Sequence, residues 1–386
     1  MMTLWQLMWR DLKSILSDKD LVLTIFGAVL FYSVLYPLPY LHQVPTEQNI
    51  VVVDHDHSSL SRRVIRHADA SAKIRVQAVL PSVDEAQLWI TSGEAHGLLV
   101  IPEGFRRNLL LGKGATLSYG GDASYFLIYS AVVEGLVSAG MDASKQIQMV
   151  GLLARGQTAA QVEKSLDSIT INSVPAFNPS LGYTPYVVPG LFLLILHQTM
   201  LIGICILGAS QWRKSGYWQS VSPLLLVSAR VLTFSSIYAV LATFYLGYCY
   251  YFYDVSVLAT ISEVSLFMLP FILATAALGT AISSLFVRRD LPTQFFLLIS
   301  MPILFVAGFV WPLALIPEPL VLLSQIIPAV PAISGMLNLN QMGSGWLAVL
   351  PQWLQLWALF VVFSGLALVG IKYRQQQSLA NRHLTE

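Results

Sequence analysis

A long polar stretch, residues 42–180, separates one apolar run from five others. The first run is Leu21 to Leu41, and the later ones begin near Leu181, Leu224, Leu258, Leu291 and Val349. About 20 helical residues cross ~30 Å of hydrocarbon, and each run approaches or exceeds that length. Backbone polar groups within lipid must be satisfied inside the segment, so these runs have to be helices. The pattern predicts a mainly α membrane protein with six transmembrane helices. An interfacial helix is expected over residues 1–19 and the first span over 20–41. An extracytoplasmic α/β domain follows over 42–180, then spans two to six over 181–372 and a cytoplasmic tail over 373–386. Only 11% of the 386 residues are charged, against roughly 25% in soluble domains. The net charge of +1, with no basic tract, gives nucleic acid no footing. Cys205 and Cys249 both lie in apolar runs and form neither a disulfide framework nor a metal spacing.

Ahead of the first run, Leu4, Leu7, Met8, Leu12 and Ile15 recur at helical spacing, with Trp5 and Trp9 at the border of that face. Arg10, Asp11 and Lys13 fall elsewhere on the wheel, so the segment reads as an amphipathic helix lying in the membrane interface. Asp18-Lys19-Asp20 predicts a break before the first span. That span is too long for a signal-peptide apolar region of ~7–15 residues and is expected to stay as an anchor.

The polar insert alternates in type. Strands are expected at Ile50–Val53, Ile74–Val79, Gly97–Ile101 and Thr116–Tyr119. Helices are expected at Ser58–Ala68, at Ser82–Ile90 behind a capping box, at Pro102–Leu111, from Asp122 to about Leu153, and from Thr158. Such alternation suggests a small α/β domain with a mixed sheet. Residues 311–349 are apolar but broken by Pro312, Pro317, Pro319, Pro328 and Pro331. They read as short outer helices; the alternative is a seventh span between Leu320 and Leu337.

Lysine and arginine placement decides between these. Arg10, Lys13 and Lys19 precede span one; Arg213, Lys214 and Arg230 flank the second-to-third connection; Arg288 and Arg289 lie between spans four and five; Lys372, Arg374 and Arg382 follow span six. Six spans put every short basic segment on one side, as the positive-inside rule requires, whereas seven would put the basic tail outside. Both termini are therefore expected in the cytoplasm.

The insert joins the second span through Phe177-Asn178-Pro179-Ser180-Leu181-Gly182-Tyr183-Thr184-Pro185-Tyr186-Val187-Val188-Pro189-Gly190-Leu191. It opens with Val51-Val52-Val53-Asp54-His55-Asp56-His57-Ser58-Ser59-Leu60-Ser61-Arg62-Arg63. In these two stretches, and in the one-plus-five layout, the chain resembles the ABC type-2 permeases with a large external domain between spans one and two. The resemblance implies the membrane subunit of an ABC exporter. It implies a second permease subunit, identical or paralogous, and separate cytoplasmic ATPase subunits that hold ATP and Mg. It also implies a periplasmic adaptor as a further partner and the bacterial inner (plasma) membrane as the location. No cofactor is expected on this chain. Trp212, Arg213, Lys214 and Gly216, with Arg288 and Arg289, would form the loops that receive motion from the ATPase. The family often has acidic residues before a Gly-Thr in the first of these loops, and here there are none. Asn178, Pro179, Tyr183, Pro189, Gly190 and the intramembrane His197 mark the entry to span two and a candidate substrate route.

Other chemistry finds little support. Asp54-His55-Asp56-His57 alternate in direction on a strand and cannot converge on a metal without a tight turn; a strand end feeding a helix cap is the plainer reading. Leu110-Leu111-Gly112-Lys113-Gly114 is not a phosphate loop, because Arg107 stands where its first glycine belongs. No nucleophile, base and metal set converges, so the chain is not expected to be an enzyme. The main alternative is a membrane-anchored scaffold or sensor with an external binding domain and no transport.

Overall fold

The computed structural model describes residues 2–40, 45–111, 113–166, 176–178, 182–212 and 216–383. In chain order they form α1 (Leu4–Leu16), α2 (Lys19–Tyr40), β1 (Gln48–Asp54), α3 (Ser59–Asp69), β2 (Ile74–Leu80), α4 (Val83–Thr91), β3 (Gly97–Ile101), α5 (Phe105–Leu110), β4 (Ser118–Gly121), α6 (Phe126–Ala154) and α7 (Ala159–Leu166). Then come α8 (Thr184–Trp212), α9 (Pro223–Phe252), α10 (Ile261–Ser283), α11 (Leu291–Val306), α12 (Glu318–Ser324), α13 (Ala329–Gln341) and α14 (Trp346–His383). Residues 42–175 make one compact unit; residues 1–41 and 176–386 make the other.

In the inserted unit the sheet order is β2-β1-β3-β4, with the first three strands parallel and β4 antiparallel. The run Ile50–Val53 is continuously apolar because it is buried on both faces. Ile50 and Val52 pack with Val64 of α3 and Val132 and Leu136 of α6, while Val51 and Val53 pack with Ala86 of α4. The Asp-His-Asp-His stretch is a strand end that turns into a cap. Asp54 Oδ1 accepts from the amides of Asp56 and His57, and its Oδ2 accepts from Ser61 Oγ at 2.6 Å. Ser58 and Ser61 then close a reciprocal cap on α3. Among the described residues no His, Cys, Asp and Glu group has a metal-holding arrangement.

Several boundaries differ from the sequence expectation, each for a local reason. The fourth strand is Ser118–Gly121, shifted toward the glycines that lie opposite Gly97 and Leu98. α5 starts at Phe105 because Gly104 takes a left-handed conformation that ends the preceding turn. α6 starts at Phe126 instead of Asp122, whose carboxylate is used by Ser124 N in a turn ahead of the helix. At Ser82 only the serine half of the capping box is present.

In the other unit five helices among the described residues are long and apolar enough to cross a membrane: α2, α8, α9, α10 and α14. The expected fifth span, Leu291 to Val310, is the 16-residue α11, which reaches ~24 Å at 1.5 Å per residue. It stops short because Gly308 is left-handed at φ 84° and Pro312 follows. The proline-rich stretch does not form a straight seventh span, since α12 and α13 meet at 95°. α13 is buried in the bundle through Ala329, Val330, Ile333 and Met336, whereas Leu322 and Leu323 of α12 are exposed. α14 continues unbroken from the sixth apolar run through the expected tail to His383.

α8 is the axis of this bundle, buried along almost its whole length. Small residues let its neighbours close in. A Cβ on Gly203 would lie 2.9 Å from Ile25 Cγ1 of α2, and one on Gly279 would lie 2.8 Å from Ile204 Cδ1 of α8. Overpacking such contacts typically costs about 1–3 kcal/mol. Gly203→Leu and Gly279→Leu are therefore expected to lower the melting temperature in detergent, whereas Gly247→Ala, where a Cβ meets nothing within 4 Å, should leave it close to wild type.

Candidate functional site

The basic ends of the bundle helices converge on one polar network. It begins with Asp11, which the sequence reading puts off the apolar face of α1. Asp11 instead lies between Leu7 and Ile15, each four residues away, and all three are buried. Facing it is Arg230, fully buried in α9. Arg230 Nε donates to Asp11 Oδ2 at 3.4 Å, and its other edge donates to Gln211 Oε1 at the end of α8. Tyr217 Oη donates to Asp11 Oδ1 at 2.8 Å and accepts from Gln211 Nε2 at 3.1 Å. The Arg10 guanidinium covers the Tyr217 ring at 4.1 Å. Burial, and then the Asp11 carboxylate beside it, push the Tyr217 phenol above its usual range. It therefore remains a donor at neutral pH.

The network extends to α10 and α14. Trp212 Nε1 donates to Ser283 O of α10 at 2.9 Å. Gln375 of α14 donates to the carbonyls of Trp218 and Val221 at 2.6 and 2.8 Å. Gln219 bonds Ser378, and Arg374 Nε donates to Ser284 O at 2.6 Å. Residues of the expected tail thus bond the connection between α8 and α9. Gly216 is extended there, and its amide donates to Gln219 Oε1 at 3.4 Å. Arg289 bonds Asp18 at 2.6 Å and Asp20 at 3.3 Å, joining the α10–α11 connection to the break between α1 and α2. Arg288 forms an exposed fork onto Asp290. Arg213 and Lys214 fall outside the described residues, as does Pro179.

The span-two entry residues sit elsewhere. Asn178 bonds Gly182 in both directions, Nδ2 to O at 2.8 Å and N to Oδ1 at 3.2 Å. Tyr183 stacks on Tyr40 at 5.9 Å, and Thr184 Oγ1 donates to Tyr40 O at 2.9 Å, tying the start of α8 to the end of α2. Pro189 is inside α8, and Gly190 makes room for the ring of Phe309. His197 is buried, stacked on Phe271 at 6.5 Å, and neither ring nitrogen has a hydrogen-bond partner among the described residues. These residues do not assemble into one site.

A groove of about 490 Å³ runs between α2, α8 and α11. Gly27, Phe31, Ile195, Leu297 and Met301 make it apolar. Gln198 also lines it, and its Nε2 is buried without a partner among the described residues.

A sequence model of the ABC-2 family transporter proteins matches residues 19–369, from the start of α2 through the insert and α11 into α14. The chain belongs to the ABC-2 transporter family. No curated protein matched the sequence. An ABC-2 permease is a multi-pass membrane transport component that partners with an ABC ATPase subunit.

Sequence reading placed Arg230 among the basic flanks of this permease and Asp11 off the apolar face of α1, but did not pair them and did not single out Gln211, Tyr217 or Gln375. A signal for Asp11 was present: it shares the i, i+4 register of Leu7 and Ile15. Breaking a buried ion pair on one side typically costs about 3–5 kcal/mol, because the other charge stays buried. Asp11→Leu or Arg230→Met alone is expected to lower thermal stability by that order. The double variant should regain most of the loss, and a double-mutant cycle on the melting temperature checks it.

Proposed function

We propose that this ABC-2 permease is the membrane half of an ATP-driven exporter of amphipathic molecules (drug, lipid or peptide). Two permease subunits, identical or paralogous, stand over two ATPase subunits that carry ATP and Mg. The basic end is cytoplasmic, with both termini, and the inserted α/β unit is on the outer face of a bacterial inner membrane, where a periplasmic adaptor docks.

The observation that carries this reading is the groove between α2, α8 and α11. Its lining is apolar apart from a few groups such as Gln198. An amphipathic molecule would place its apolar body there and a carbonyl or phosphoryl oxygen on the unpaired amide of Gln198. An unpaired buried donor is costly, so an acceptor at that point is favoured.

ATP-driven closure of the ATPases would reach the groove through the basic end. The connection from Trp212 to Gly216 leads directly into α8, which forms one groove wall. Motion given to that connection also moves α1, α9, α10 and α14, because hydrogen bonds join them to Gln211, Trp212, Tyr217 and Trp218 at its two ends. Arg289 gives α11, another groove wall, its own bond to Asp18.

Mild-detergent purification of the tagged chain from its host is expected to bring down a stoichiometric P-loop ATPase. In vesicles containing both, Gln198→Leu and the groove-filling Gly27→Phe should reduce substrate-stimulated ATP hydrolysis and transport about tenfold or more, the scale of one lost hydrogen bond to a buried donor. Unchanged transport in both variants would move the route elsewhere. Separately, Arg213→Glu with Lys214→Glu is expected to leave the permease folded but weaken its binding to the ATPase; retained binding and full transport would remove that loop from the coupling path.

A further inference from the structure

α1 has two apolar stripes, and the bundle uses one of them. Leu7 and Ile15 are buried, and Met8 O lies 3.5 Å from Thr233 Oγ1 of α9. The second stripe is Trp5, Trp9, Leu12 and Leu16, at i, i+4, i+7 and i+11. Trp5 is 73% exposed, Trp9 62% and Leu16 57%. Two large indole rings and a leucine left in water on one short helix form an unfavourable surface unless something apolar covers it.

Charge identifies the cover. Arg10, Lys13 and Lys19 are exposed along and just after this helix. Every aspartate in the segment is already engaged: Asp11 with Arg230, and Asp18 and Asp20 with Arg289. Counting these partners, Arg10, Lys13, Lys19, Arg230 and Arg289 outnumber Asp11, Asp18 and Asp20, so the surface beside the tryptophans is net positive. Depth agrees. Thr233 is ten residues beyond the start of α9 at Pro223, ~15 Å along a helix axis. α9 spans 30 residues, ~45 Å of helix, longer than the hydrocarbon layer. The tryptophan-bearing turn thus lies beside the first third of a span, where the headgroup layer meets acyl chains.

We infer that this face of α1 is a contact for anionic lipid. Trp5, Trp9 and Leu16 insert at the boundary of headgroups and acyl chains, and Lys13, Lys19 and Arg10 bind headgroup phosphates. Indoles favour that layer, and basic side chains are drawn to an anionic surface within a Debye length. Arg10 also covers the Tyr217 ring, and Tyr217 donates to Asp11. Lipid charge is thereby in contact with the same network that holds the α8–α9 connection.

The test uses the full chain with Cys205→Ala and Cys249→Ala, carrying Trp9→Cys labelled with an environment-sensitive fluorophore. It is placed in nanodiscs of phosphatidylcholine alone or with phosphatidylglycerol. Blue-shifted emission with phosphatidylglycerol is expected, reversed by high salt and lost in Lys13→Gln/Lys19→Gln. Identical emission in both lipids, or a shift indifferent to salt and to the lysine variant, overturns the inference. So does a label that leaves water only when an ATPase subunit is added, since the occupant would then be protein. Should the labelled variant not fold, quenching of intrinsic fluorescence by brominated phosphatidylglycerol, compared between wild type and Trp5→Phe/Trp9→Phe, gives the same decision. The nanodisc arms need neither ATPase nor transported substrate, so they stand or fall independently of the exporter reading.

Discussion

The bundle's basic end depends on one buried charge pair. Asp11 and Arg230 come from segments 219 residues apart, and both side chains are essentially inaccessible to water. Taking two charges out of water is expensive, and their attraction only roughly offsets that cost. The pair therefore contributes position more than net stability. Only one register of α1 against α9 brings the carboxylate to the guanidinium, and in that register Leu7 and Ile15 also meet the bundle. Tyr217 bonds the other carboxylate oxygen and Gln211 bonds a second guanidinium nitrogen, so the α8–α9 connection is fixed by the same choice.

That arrangement explains why the N-terminal helix belongs to the permease body. Had α1 merely floated in the interface, its apolar face would have met lipid. The structure gives that face to α9 and leaves the tryptophan stripe free. The polar end of α14 behaves in a similar way: Arg374 and Gln375 find carbonyls at the ends of α10 and of the α8–α9 connection. Helix ends carry unpaired carbonyls, and here side chains from a distant segment use them. A push on the connection between α8 and α9 is consequently shared among several helices.

Away from the basic end the bundle is held by close packing around α8, with glycine at the tight approaches. The groove between α2, α8 and α11 is the exception. There α11 is short and α2 carries a π-turn at Leu23–Gly27, so the walls do not close over Gln198. Short and irregular helices at this point are the kind of departure from regular packing that marks functional regions.

The sequence by itself determined the architecture: apolar runs of membrane-crossing length, a β-branched run buried on two faces, and capping serines that start helices where expected. These are local properties, set by hydropathy, by strand and helix periodicity and by single side chains bonding nearby amides. Family membership was likewise legible in two motifs and the one-plus-five layout. Tertiary structure alone decided which face of α1 is inside, that Asp11 pairs with Arg230, that the last residues clamp a connection, and that the proline-rich stretch folds back at 95°. Each of these depends on a partner far along the chain. Helical periodicity tells which residues share a face, but not whether that face meets lipid, water or another helix.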